Sequence, residues 1–154
     1  MNMSEPGQET QDLTVHECWS HLRSASVGRL ALISHDRPEI FPVNYLPDEG
    51  TVIFRTGPGT KLEAVLSGEP VVLEADGLNT YGTIAWSVVV KGVAAPVQPG
   101  EDVPAQTPSP WEEGDKEILV RITPTELSGR RFVIGPPTRW WPPLEPVTLP
   151  GPKE

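Results

Sequence analysis

Two cations, two hydroxyls and two glycines stand within seven positions in the stretch Arg55-Thr56-Gly57-Pro58-Gly59-Thr60-Lys61. It follows an apolar, strand-like run, Thr51-Val52-Ile53-Phe54, and leads into a helix-like run, Glu63-Ala64-Val65-Leu66. A phosphate dianion asks for this composition. Backbone N–H groups at a helix start, reinforced by the helix dipole and by Arg and Lys, meet both its charge and its lone pairs. Pro58 takes one N–H donor out of such a cradle. The same string also reads as a polar connecting loop with a glycine turn, since short glycine-rich strings match by chance. No nucleophile–base constellation accompanies it. Ser87 has no evident His partner, and His16, His21 and His35 form neither a triad nor a metal set. The sequence therefore predicts no catalytic side chain and no metal ligand.

The elements that would position this stretch belong to one domain, because 154 residues hold a single core rather than two. A formal net charge of -9 argues against a nucleic-acid partner, which needs a basic face, but not against a small anion that feels local charge. Cys18 is the single cysteine, so no intrachain disulfide can form and a reducing compartment is expected. No apolar run approaches membrane-spanning length and the N-terminus carries no signal-peptide block, so a cytoplasmic protein without a membrane partner is expected. The prolines divide the chain. Six lie before residue 96 and thirteen from Pro96 onward, so regular structure belongs mainly to the first part.

Residues 1–12 read as a disordered tail. Thr14 and Glu17 have capping-box spacing and open a helix, whose buried stripe is Cys18, Leu22 and Ala25 with Trp19 beside it. His16, His21 and Arg23 fall on its solvated side. From Val27 the pattern turns to β, with strands over Val27–Ser34, Glu39–Leu46 and Thr51–Arg55, the first two joined by a turn at His35-Asp36-Arg37-Pro38. Pro42 inside the second strand calls for a bulge or an edge. A short helix to Leu66 is stopped by Ser67-Gly68-Glu69-Pro70, and strands follow at Val71–Ala75 and Thr83–Ala94, with a turn at Asp76-Gly77-Leu78-Asn79. Residues 96–115 form a Pro- and Gly-rich surface excursion in which Trp111 can dock on the core. Lys116–Thr123 alternates as a sixth strand, and Thr125–Phe132 is a short ordered segment. The domain spans 13–135. Beyond it, 136–154 is a Pro-rich tail carrying Trp140-Trp141. Hairpin-length connections without crossover helices make this a mainly β fold, a six-stranded antiparallel barrel with a few short helices.

The order of motifs resembles a known family. Thr14-Val15-His16-Glu17-Cys18-Trp19 with Leu22, Val27-Gly28-Arg29-Leu30-Ala31, Pro42-Val43-Asn44-Tyr45, Phe54-Arg55-Thr56 with Gly59-Thr60-Lys61-Leu62, and Trp86-Ser87-Val88-Val89-Val90-Lys91-Gly92 follow one another as in the pyridoxamine 5′-phosphate oxidase-like FMN-binding split-barrel family. A fainter echo lies at Gly129-Arg130-Arg131, and Ala85 stands where relatives commonly carry glycine. The resemblance implies a split β-barrel homodimer with FMN at the subunit interface. It places Arg55, Thr56, Thr60 and Lys61 as the phosphate clamp, Pro42, Val43, Asn44 and Tyr45 along the isoalloxazine ring, and Trp86, Ser87 and Val88 against the cofactor. The activity implied is an FMN-dependent oxidoreductase passing hydride between flavin and a small substrate, the cofactor supplying the electron chemistry. Two alternatives stand beside it. One is a reductase using the 8-hydroxy-5-deazaflavin coenzyme, whose charged tail would call on Arg29, Arg130 and Arg131. The other is a non-catalytic flavin- or haem-binding protein, with His16, His21, His35 or Cys18 as the haem's axial ligand.

Overall fold

The computed structural model describes residues 10–105 and 118–134, the Thr60 side chain excepted. The Pro-rich tail, Trp111 and Trp140-Trp141 lie outside the described residues. Helix α1 (Val15–Ser24) starts where the capping box predicts: the Glu17 amide donates to Thr14 Oγ1 at 3.2 Å and the Thr14 amide donates to the Glu17 carboxylate at 2.9 Å. Thr14→Ala should cost about 1 kcal/mol of stability, read as a lowered urea midpoint at unchanged slope.

Three strands then meander. β2 (Val27–Ser34) and β3 (Arg37–Asp48) are joined by His35 and Asp36, both at positive φ (51° and 59°). β3 and β4 (Thr51–Thr56) are joined by Glu49 and Gly50, again both positive (43° and 76°). Two-residue links of this hand match the right-handed twist of the strands they connect. The turn at His35 is thus shorter than the sequence suggests, and Arg37 and Pro38 already belong to β3. Past the short helix α2 (Thr60–Val65) come β5 (Val71–Leu78), β6 (Ile84–Pro96) and β7 (Ile118–Val133).

All pairings are antiparallel, and the six long strands close on themselves in the order β7-β4-β3-β2-β5-β6 and back to β7. Further findings depart from the sequence reading. Asp76, Gly77 and Leu78, expected in a turn, continue β5 and pair with β6. Thr10–Asp12, expected within a disordered tail, forms a further strand, β1, that pairs with the end of β7 through Asp12↔Arg130. Thr125–Phe132, expected as a separate short segment, continues β7. Pro96, expected to open the surface excursion, still belongs to β6, and the Val97 amide after it donates to the Leu119 carbonyl at 2.9 Å.

Closure requires two strands to change neighbours along their length. β3 pairs with β2 through Asn44 and with β4 only from Tyr45 onward, so Pro42 has a partner strand on one side only. That is the edge position its missing N–H demands. β6 and β7 slip register at Lys91/Gly92, where a Cβ on Gly92 would come within 2.2 Å of the Thr123 carbonyl oxygen. Only glycine lets the two backbones approach so closely.

Inside the ring lie Leu30, Val43, Tyr45, Phe54, Leu73, Trp86, Val88, Val120 and Ile122. Helix α1 covers it with Cys18 and Leu22, and the Tyr45 hydroxyl donates to the Leu22 carbonyl at 2.8 Å, fastening helix to ring. Among the described residues no helix is long and apolar enough to cross a membrane.

Candidate functional site

Strand alternation sorts the predicted site residues into two sets. Successive side chains on a strand point to opposite faces. Val43, Tyr45, Trp86 and Val88 therefore enter the core, all buried, while Pro42, Asn44 and Ser87 face outward. Tyr45 is occupied by Leu22, and burial, with the Glu74 charge adding to it, pushes its phenol above the ordinary range. Trp86 stacks on His21 with ring centroids 4.7 Å apart. What these inward residues can offer a ligand outside the ring is backbone.

Of the strand–helix junction, Arg55 shares the outward face. Asn44 and Arg55 are the next residues on β3 and β4 beyond the pair Tyr45↔Phe54, both on the outer side. Arg55 and Thr56 end β4 half-buried, and the Thr56 hydroxyl reaches the Gly57 carbonyl at 3.4 Å, a long bond that a stronger acceptor could replace. Gly59 (φ 140°) then turns the chain into α2, whose N-cap has no side-chain hydrogen bond. Lys61, exposed in the first turn, carries its Nζ 4.9 Å from the Phe41 ring centroid on β3. Arg55 thus shares the outer side with the Pro42–Asn44 edge, while Lys61 reaches β3 through Phe41, which belongs with Val43 and Tyr45 to the inward set. This donor set suits a phosphate joined to a flat apolar group. Thr60 sits at the start of α2.

Along the same face, register builds a polar row that sequence spacing conceals. Pro42 pairs with Arg29, Arg29 with Glu74, Glu74 with Val89 and Val89 with Ser128, across five strands. The Arg29 guanidinium donates to the Glu74 carboxylate (Nε 2.9 Å, Nη2 2.6 Å) and also to Asp76. Burial, together with a hydrogen bond to Asp76, pushes Glu74 up to about 7 against the pull of Arg29. Asp76 is held below its usual range by that hydrogen bond and by Arg29. Next to this cluster, Ser87, Val89, Ser128, Gly129 and Arg130 line a groove of about 250 Å³ on β6 and β7. Arg29 and Arg130 thus join the face as cations, while Arg131, the next residue on β7, falls on the opposite side of the strand.

No group of three or more His, Cys, Asp or Glu side chains converges as a metal site among the described residues. Cys18 is buried, with burial and the nearby Glu17 charge pushing its thiol up. It is a packing residue rather than a thiolate.

A closed ring of six antiparallel strands covered by one helix, with Arg55, Thr56 and Lys61 at the junction of β4 and α2, defines a mainly β protein. The model of the pyridoxamine 5′-phosphate oxidase family matches residues 14–131, and the chain belongs to that family. It is 33% identical to a Corynebacterium glutamicum protein provisionally assigned as a pyridoxamine 5′-phosphate oxidase, whose solved structure superposes with a TM-score of 0.71 over 82% of this chain and 100% of that one. The FAD binding protein from Mycobacterium smegmatis is 34% identical, with a TM-score of 0.63 over 80% of this chain and 99% of that one. The uncharacterized protein Rv0080 of Mycobacterium tuberculosis is 32% identical over 84% of this chain and 90% of its own length.

Proposed function

We propose that the protein is a flavin-dependent oxidoreductase that holds its cofactor by the FMN moiety. The phosphate sits at Arg55, Thr56, Thr60 and Lys61, and the isoalloxazine lies along Pro42–Tyr45 on the outer face. The observation that carries this reading is that both cations of the Arg55–Lys61 junction come to β3: Arg55 follows the pair Tyr45↔Phe54 beside Asn44 on the outer side, and the Lys61 ammonium lies 4.9 Å from the Phe41 ring centroid. An FMN phosphate carries close to two negative charges, and this junction meets them with two cations in an otherwise acidic protein. When bound, the flavin supplies hydride transfer to or from a small substrate. The chain's own residues bind it, orient it and shield it from water. Two copies pair as a homodimer of split barrels, each laying Trp86–Val88 and the Ser87 hydroxyl against the cofactor at the interface.

The FAD-binding relative from Mycobacterium smegmatis supports a second form of the same reading, in which the bound cofactor is FAD anchored through the same half. A deazaflavin with a long anionic tail is less well served, because Arg29 is already committed to Glu74 and Asp76. Titrating the purified protein with FMN, FAD and the 8-hydroxy-5-deazaflavin coenzyme decides among them. FMN or FAD should change in fluorescence on binding and be released on denaturation with two oxidised-flavin absorption bands. Absence of any response to either flavin would sink the reading.

A further inference from the structure

We infer that flavin binding on the outer face is coupled to proton uptake by the Arg29–Glu74–Asp76 cluster, so that affinity falls as the solution becomes alkaline. The inference rests on the flavin reading above and adds a regulatory property that the family assignment does not contain. Its basis is geometric. One guanidinium on β2 is shared by two carboxylates two residues apart on β5, which leaves the cluster one negative charge in excess when both are ionised. Glu74 lies in the register row that starts at Pro42, separated from it only by Arg29. A flat group laid along Pro42–Asn44 covers the approach to this row and removes water from it.

Removing water raises the cost of the surplus charge, and a proton on Glu74 cancels it. Glu74 is the member that accepts it, because its side chain is 28% exposed against 52% for Asp76. Its acid constant of about 7 before binding means that any further rise acts in the neutral to alkaline range. The other groups around Glu74 do not offset the excess. From β3, Tyr45 is a neutral phenol held by Leu22. From β6, Val89 stands directly opposite, flanked by Ser87 and by Lys91, and Lys91 is drawn toward Glu126 of β7 at 3.7 Å. Arg130 of β7 is opposite Ser87, with Asp12 of β1 on its other side.

Linkage sets the sign. Above pH 7 the free protein holds Glu74 ionised and the bound protein holds it protonated, so each binding event takes up as much as one proton. The FMN phosphate loses its second proton near pH 6, so above pH 7 it is already a dianion and adds no slope of its own. FMN titrations of the full-length protein between pH 7 and 9 should therefore show the dissociation constant rising by up to tenfold per pH unit. Calorimetry in buffers of small and large ionisation enthalpy should count the proton directly. Glu74→Gln should bind FMN with a flat profile and no proton uptake. Asp76→Asn, which removes the excess charge while keeping the Arg29–Glu74 pair, should also lose the uptake at pH 8. Equal pH profiles and equal proton uptake in wild type and both variants would overturn the coupling while leaving flavin binding in place. Failure of the wild type to bind FMN at any pH would overturn both readings together.

Discussion

Trp86→Ala should remove about 3–5 kcal/mol of folding stability, the range for deleting a large buried aromatic. Urea denaturation, followed by far-UV circular dichroism, measures it. The indole is 9% exposed and lies inside the ring, with His21 of α1 stacked on it at 4.7 Å. Its slot is made by the strand beside it. Gly77 is the register partner of Trp86, and a Cβ there would stand 2.7 Å from the indole Nε1. An alanine at 86 leaves that slot empty, because neither the glycine nor the ring of paired backbones can move in to fill it. Trp86→Phe should recover most of the loss by keeping a ring against His21. A deficit below about 1 kcal/mol for Trp86→Ala would mean that the indole is not the packing element its position implies.

Lys61→Ala should weaken FMN by about 1.5–3 kcal/mol, or roughly tenfold to 150-fold, through loss of one charge-assisted contact to phosphate. The affinity for riboflavin, which has no phosphate, should be the same in both proteins. That comparison separates a phosphate ligand from a residue that merely shapes the pocket. Folding stability should change by less than about 1 kcal/mol, since Lys61 is exposed and its packing on Phe41 is a surface cation–π contact. The wild-type affinity should also weaken with added salt more steeply than that of the variant. An unchanged FMN constant would move the phosphate away from this junction.

Local chemistry made parts of this architecture legible in the sequence. Thr14 and Glu17 announced the helix start because a capping box is closed within three residues. Pro42 announced an edge because a missing N–H cannot sit between two partners. Other features depended on partners far along the chain. Thr10–Asp12 has no apolar alternation, and only the end of β7 makes it a strand. The full length of β7 was hidden by Pro124, Gly129 and the Arg130-Arg131 pair, which interrupt the pattern of a buried strand. At the site, the phosphate-type composition of Arg55–Lys61 was plain, but the division of Pro42–Tyr45 and Trp86–Val88 into outward and inward members was not drawn from their alternation. The Arg29 cluster was out of reach altogether. Its carboxylates lie 45 and 47 residues away, and nothing short of strand register brings them together.

The way the ring closes also bears on how the molecule is made. β7 is the last of the described strands, and it alone joins β4 to β6 while holding β1 as well. Until residues 118–133 have left the ribosome, a nascent chain of this sequence has two open sheet margins, along β4 and β6, with unpaired N–H and C=O groups. Its final step pairs β7 with β4, across the whole of α2, β5 and β6, the kind of long-range pairing that folds slowly. A chain ended before β7 would keep both margins exposed for good, and aggregation during synthesis is the hazard this topology carries.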